Sequence, residues 1–239
     1  MIDVSKIRKT LEKEVTRQNR PENLVNYQQF FKEKLDEPYG LKSAVIRKII
    51  NECFREIKNL PKREILDICD ALLASRERYM RGIAFEWALK VKDGFEKADF
   101  KRLERWLKEY VDNWGACDGL CCGPMGELVR QFPDLVEKTK KWTKSKNRWL
   151  RRAAAVSLIV PVRNRLLLDE IFQTADILLT DYDDMVQKGY GWMLKEASNR
   201  FPDEVFKYVM KNKADMPRTA LRYAIEKLPA AMRKEAMKK

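Results

Sequence analysis

The sequence contains no histidine among its 239 residues. That absence excludes a Ser-His-Asp triad, a Cys-His dyad and every histidine-containing zinc site. Glycine and proline number nine each, too few for an all-β or loop-rich chain. Cysteine is scarce and odd in number: five residues, at positions 53, 69, 117, 121 and 122. The N-terminal stretch Met1-Ile2-Asp3-Val4-Ser5-Lys6 has no apolar signal core. Five cysteines without a secretion signal read as reduced thiols in a cytoplasmic protein. Cys117, Cys121 and Cys122 cluster, but no second cysteine pair stands at zinc-site spacing. They read as small buried hydrophobes, and no metal is expected. No window approaches ~20 uncharged apolar residues, so no membrane span is expected. No stretch alternates with period two between hairpin turns, so no strand is expected.

What is there is helix-forming and basic. Leu, Ala, Lys, Glu and Arg dominate, all favourable in helices. Charged residues make up 36% and hydrophobic residues 45%, so a core and a charged surface can coexist. Lysine and arginine total 49 against 36 acids, a formal charge of +13. Such an excess points to a polyanionic partner, with nucleic acid ahead of an anionic membrane.

Helical spacing runs through almost the whole chain. Ile7, Leu11 and Val15 form one apolar stripe, Val45, Ile49 and Cys53 another, and Leu66, Cys69, Leu72 and Leu73 a third. Several prolines stand one turn ahead of a helix, where proline is tolerated. A frame recurs at Tyr79, Trp149 and Met185: a large apolar residue, a basic residue two or three later, a small residue, then an apolar stripe. Arg218-Thr219-Ala220-Leu221-Arg222-Tyr223-Ala224 continues it, and Trp114 opens the copy between Tyr79 and Trp149. The spacing, about 35 residues, is that of stacked helix pairs. The expected fold is all-α: an α-solenoid of stacked HEAT-like antiparallel helix pairs with a concave basic cleft. A single domain is expected over residues 1–239, with N-terminal helices to 58 and repeated pairs from 59. First helices are expected at 62–74, 98–111, 132–142, 166–178 and 202–211. The motif-bearing second helices would line the inner side with Arg81, Trp114, Asp118, Arg148, Arg151, Arg152, Lys188 and Trp192.

Within that frame, Asn113-Trp114-Gly115-Ala116-Cys117-Asp118 carries the most chemistry. Residues at i and i+4 share a helix face, so Trp114 and Asp118 stand together. An aromatic face beside a fixed anion suits a cationic ring and the positive charge that develops next to it. Two other segments join it: Trp149-Leu150-Arg151-Arg152-Ala153-Ala154, and Gln187-Lys188-Gly189-Tyr190-Gly191-Trp192. Trp87, Trp106, Trp142 and Trp149 read as packing residues.

These segments, with Gly126 eight residues beyond Asp118 and Leu194 two beyond Trp192, resemble the AlkD-type alkylpurine DNA glycosylases, a HEAT-like-repeat family of DNA alkylation repair enzymes. Their order and spacing match over roughly residues 20–225. The resemblance implies removal of N3- or N7-alkylated purines from duplex DNA by a monomer without cofactor or metal, in a prokaryotic cytoplasm at the nucleoid. It implies that Asp118 is the catalytic carboxylate and that Trp114 and Trp192 contact the sugar and the cationic lesion. It implies that Arg152 holds a phosphate, with Lys188 a weaker candidate, and that Tyr27 is an aromatic facing the DNA. Arg148 and Arg151, beside Arg152, are expected to join the phosphate contacts. One departure stands out: Gly115 occupies a place where the family commonly has a second acid. No lysine is singled out beside Asp118, so no lyase chemistry is expected. Two alternatives share the scaffold: a non-catalytic binder of DNA structure, and a protein-binding helical repeat.

Overall fold

The computed structural model describes residues 4–20, 22 and 41–238. Among these residues every regular element is a helix. The chain divides into two compact units, Met1–Gly94 and Phe95–Lys239.

The first unit holds α1 (Val4–Gln18), α2 (Ser43–Phe54), α3 (Lys62–Ala74) and α4 (Arg78–Lys90). The stripes legible in the sequence supply its core. Ile7, Leu11 and Val15 of α1 are buried, as are Ile49 and Cys53 of α2 and Leu66, Cys69, Leu72 and Leu73 of α3. Trp87 of α4 is fully buried, and its indole N–H donates to the Ile50 carbonyl at 3.1 Å. That bond satisfies the one polar atom of a side chain otherwise suited to the interior. Arg81, expected on an inner surface, is 8% exposed.

The second unit carries the copies of the repeat that open at Trp114, Trp149 and Met185. Its elements are α5 (Asp99–Tyr110), α6 (Trp114–Cys121), α7 (Pro124–Gln131), α8 (Val136–Lys140), α9 (Arg148–Val156), α10 (Ile159–Arg163), α11 (Leu168–Leu178), α12 (Asp184–Ser198), α13 (Pro202–Asn212), α14 (Arg218–Ala224) and α15 (Ala230–Ala236). The motif-bearing helices pack in series: α6 on α9, α9 on α12, α12 on α14. The preceding helices pair with them, α5 with α6 and α11 with α12. Pro124 and Pro202 occupy the first positions of α7 and α13, and Pro217 and Pro229 immediately precede α14 and α15. Proline's missing N–H is harmless there because the first helical donors have no intrahelical partner.

One expected helix is broken. Residues 132–142 form a 3-10 turn at Pro133–Leu135, the short α8 and a second 3-10 turn at Lys141–Lys144. Trp142 supplies a reason. Its indole N–H reaches Glu104 of α5 at 2.7 Å while its ring stacks on Phe100 at 5.6 Å. Tightening the last turn turns this side chain onto α5, and the tertiary contact overrides local helical preference.

Small residues set the helix spacing. A Cβ on Gly126 would stand 2.4 Å from the Cys121 carbonyl oxygen and 2.9 Å from Val160 Cγ2. A Cβ on Gly191 would meet Tyr223 Cβ at 2.8 Å and the Ala220 carbonyl oxygen at 2.9 Å. Gly126→Ala is therefore expected to destabilise the protein by about 1–3 kcal/mol through overpacking. Urea denaturation measures it, and parental stability would show that α7 can move away from the end of α6 without cost.

Candidate active site

Helix α6 begins where Asn113 caps it. Asn113 is extended, and its side-chain oxygen accepts from the Ala116 N–H at 2.9 Å. Asparagine is among the best residues for this position because it satisfies a donor the helix leaves orphaned. Gly115 and Gly119 lie within the helix, which spans eight residues before Pro124 opens the next. Trp114 therefore occupies the first helical position, and Asp118 stands one turn later on the same face.

Asp118 meets Arg152 in a two-pronged ion pair. Arg152 Nε donates to Oδ1 and Nη2 to Oδ2, each at 2.9 Å. Nη1 donates to the Met185 carbonyl at the start of α12, at 2.6 Å. The Arg152 side chain is 6% exposed and that of Asp118 is 19% exposed. Three helices thus converge on one guanidinium. Gly189 makes the passage possible: a Cβ there would sit 3.0 Å from Arg152 Cγ. Burial pushes the Asp118 carboxyl above its ordinary 3.8, and the charge and hydrogen bonds of Arg152 oppose that rise. The result is an anion of fixed orientation in a partly dry setting. Such a group can stabilise a developing cation or receive a proton from water.

The neighbouring cations differ from the expected open ridge, because each has an acidic partner. Arg148 Nη2 donates to Asp183 at 2.8 Å and to Asp184 at 3.0 Å. Lys188 Nζ reaches the other Asp184 oxygen at 3.3 Å. Arg151 is buried, with Nε on Asp181 at 2.7 Å and Nη1 on the Ser145 and Lys146 carbonyls at 3.0 and 3.2 Å. Arg151 thereby ties the turn before α9 to the turn before α12, a structural use of its fork. The acids come from one run, Asp181-Tyr182-Asp183-Asp184. Asp183 also caps α12, accepting from the Met185 N–H at 2.9 Å. Cations at helix starts are unfavourable beside the positive end of the macrodipole. Acids placed against Arg148 and Lys188 offset that cost.

The remaining site residues fall as follows. Trp114, Trp149 and Trp192 are half-buried, whereas Trp87, Trp106 and Trp142 are in the core. Trp192 stands one turn beyond Lys188 on α12, and its indole N–H donates to Glu196 at 3.0 Å. Tyr27 lies outside the described residues. Cys53, Cys69, Cys117 and Cys121 are buried, and Cys122 is half-buried. Burial pushes Cys122 to about 12 and Cys53 to about 11. Neither is a thiolate near neutral pH, so neither is a nucleophile there. Among the described residues no cluster of three or more Cys, Asp or Glu is arranged to hold a metal, and no helix is long and apolar enough to cross a membrane.

Sequence reasoning did not single out Asp181, Asp183, Asp184, Gly189, Glu196 or Arg163. The acidic run separated by two residues from Gln187-Lys188 was the available signal for the first three.

No curated protein matches this chain. Among solved structures, the chain is similar to a predicted DNA alkylation repair enzyme from Enterococcus faecalis. The two are 17% identical, and the match covers 89% of this chain and 98% of that one with a TM-score of 0.77. That likeness shows a shared helical-repeat fold. The sequence profile of the DNA alkylation repair enzyme family matches residues 11–228, nearly the whole chain. The chain belongs to the DNA alkylation repair enzyme family.

Proposed function

We propose that this protein is a monofunctional DNA glycosylase that hydrolyses the N-glycosidic bond of cationic N3- or N7-alkylated purines in duplex DNA. The observation that carries the reading is the Asp118–Arg152 pair, with Trp114 one turn from the carboxylate. Breaking the N-glycosidic bond of an alkylated purine leaves an oxocarbenium-like sugar. A carboxylate of fixed orientation lowers the energy of that charge and can position or deprotonate the attacking water. The indole faces of Trp114 and Trp192 suit a cationic base and its sugar through cation–π attraction. Tyr27 is proposed as a further aromatic contact, and no metal or organic cofactor takes part. Release of free base from a duplex bearing 7-methylguanine tests the reading. No release of any cationic purine would favour a DNA binder without chemistry.

For the DNA backbone we assign Arg148 and Lys188 ahead of Arg151. The Arg148 side chain is 37% exposed and that of Lys188 is 31% exposed, against 8% for Arg151. Arg148 and Lys188 can exchange a carboxylate for a phosphate without opening the core. Arg152, only 6% exposed and already holding Asp118 with both prongs, ranks behind them as a contact to the phosphate beside the lesion. Log affinity for duplex DNA should fall with log salt at about −0.9 per phosphate neutralised. Arg148→Ala is expected to flatten the slope by roughly one unit, and Arg151→Ala to leave it unchanged. Equal slopes for Arg148→Ala and the parent would remove Arg148 from the interface.

A further inference from the structure

Trp192 is anchored from behind by a relay that no part of the proposed chemistry requires. Its indole N–H donates to Glu196 Oε1 at 3.0 Å, and the other Glu196 oxygen accepts from Arg163 Nε at 3.0 Å. Trp192 and Glu196 lie one turn apart on α12, whereas Arg163 ends α10, which packs against α12. The Glu196 side chain is 16% exposed and that of Arg163 is 46% exposed, so the bond to the Trp192 indole is the more sheltered of the two. Burial by itself would raise this carboxyl, but the bonds from Arg163 and Trp192 outweigh it and hold Glu196 below its ordinary 4.5.

Resting on the glycosylase reading above, we propose that Glu196 is a positioning residue for lesion recognition, fixing the plane of the Trp192 indole so that its face meets the cationic base. The physical reasons are two. A tryptophan side chain has two freely turning bonds, and a half-buried indole without a polar anchor samples more than one rotamer. A cation–π contact depends on the cation lying over the ring face, so a turned ring forfeits it. A carboxylate on the indole N–H also polarises the ring and leaves its face more electron-rich. Arg163 holds Glu196 in turn, and recognition groups are held in place by packed and hydrogen-bonded supports of this kind.

The test compares the parent, Glu196→Ala, Glu196→Gln, Trp192→Ala and the double variant Trp192→Ala/Glu196→Ala. Each is assayed in single turnover on duplex bearing 7-methylguanine, with affinity for undamaged duplex measured in parallel. Glu196→Ala is expected to lower excision about fivefold, the scale of one lost hydrogen bond, with undamaged-duplex affinity unchanged. Glu196→Gln keeps an acceptor for the indole and should restore excision to within about twofold of the parent. In the double variant the loss should match that of Trp192→Ala alone, because Glu196 acts through Trp192. The Trp192 indole N–H resonance should move in Glu196→Ala and stay near its place in Glu196→Gln. An active parent with unchanged excision in Glu196→Ala, or additive losses in the double variant, would overturn the positioning role and leave the glycosylase reading standing. A parent that releases no cationic purine would overturn both.

Discussion

Asp118→Asn is expected to cut single-turnover excision of 7-methylguanine by a factor on the order of 10²–10³, the scale of removing one preorganised electrostatic stabiliser. Asparagine keeps the shape of the side chain and one acceptor for Arg152, but it carries no charge to set against an oxocarbenium ion. DNA affinity should stay equal or rise slightly, because a carboxylate no longer repels the phosphates and the Arg152 fork is less firmly held. The pH profile gives a second signature. Parental excision requires the ionised carboxylate, so its rate should fall as pH drops through the Asp118 pKa. That acid limb should lie above the ordinary aspartate value of 3.8, because burial raises the group. Asp118→Asn should lack the limb altogether. Rates are compared on protein shown to be folded, since Arg152 loses its counter-charge in the variant. Full activity in Asp118→Asn would remove Asp118 from the chemistry.

The fold was largely legible from spacing. The frame at 114, 149 and 185 marks helices that stack on one another, and the stripes at Ile7, Leu66 and their partners are buried. Helical period and proline position are local signals, so they survive in one dimension. The break at 132–142 was not legible, because it depends on where Trp142 finds Phe100 and Glu104, more than thirty residues upstream.

The site was legible as a set of residue types and less so as a set of partnerships. The spacing of Trp114 and Asp118 places them on one face, as a single helix must. The pairing of Asp118 with Arg152 spans 34 residues and two helices, and nothing in either local segment announces it. The same holds for the cations. A basic residue at a helix start reads as an open phosphate site, yet Arg148, Arg151 and Lys188 each face an acid of the 181–184 run. Net charge reports the excess of cations over the whole chain and says nothing about which of them are already neutralised. Gly189 illustrates the remaining gap. Its purpose is the room it leaves for Arg152 Cγ, a contact between helices.

Arg152→Ala is expected to cost more than any of the other cation deletions. Arg152 is buried and Asp118 is largely sheltered, with side chains 6% and 19% exposed. Removing one partner of such a pair leaves a desolvated charge without compensation, a loss of about 3–5 kcal/mol. The Met185 carbonyl also loses the bond from Arg152. Arg151→Ala leaves Asp181 with other bonds, since Asp181 still accepts from the Asp183 N–H, and Arg148→Ala acts nearer the surface. The pH dependence follows from the sign of the shift. Burial raises Asp118 and Arg152 opposes it, so without Arg152 the folded-state pKa of Asp118 rises further above its unfolded value. A group raised on folding binds more protons in the native state, and the stability it contributes is present at low pH and lost as pH rises through the folded pKa. The deficit of Arg152→Ala against the parent should therefore be largest near neutral pH and shrink as pH falls toward that raised value. The excision acid limb should move upward for the same reason. Adding Asp118→Asn to Arg152→Ala should recover part of the lost stability, because the stranded charge is gone. Urea denaturation of the parent, both single variants and the double variant at two pH values measures each expectation. A deficit that grows as pH falls, or a double variant less stable than Arg152→Ala, would show that Arg152 supports the fold by packing and not as the counter-charge of Asp118.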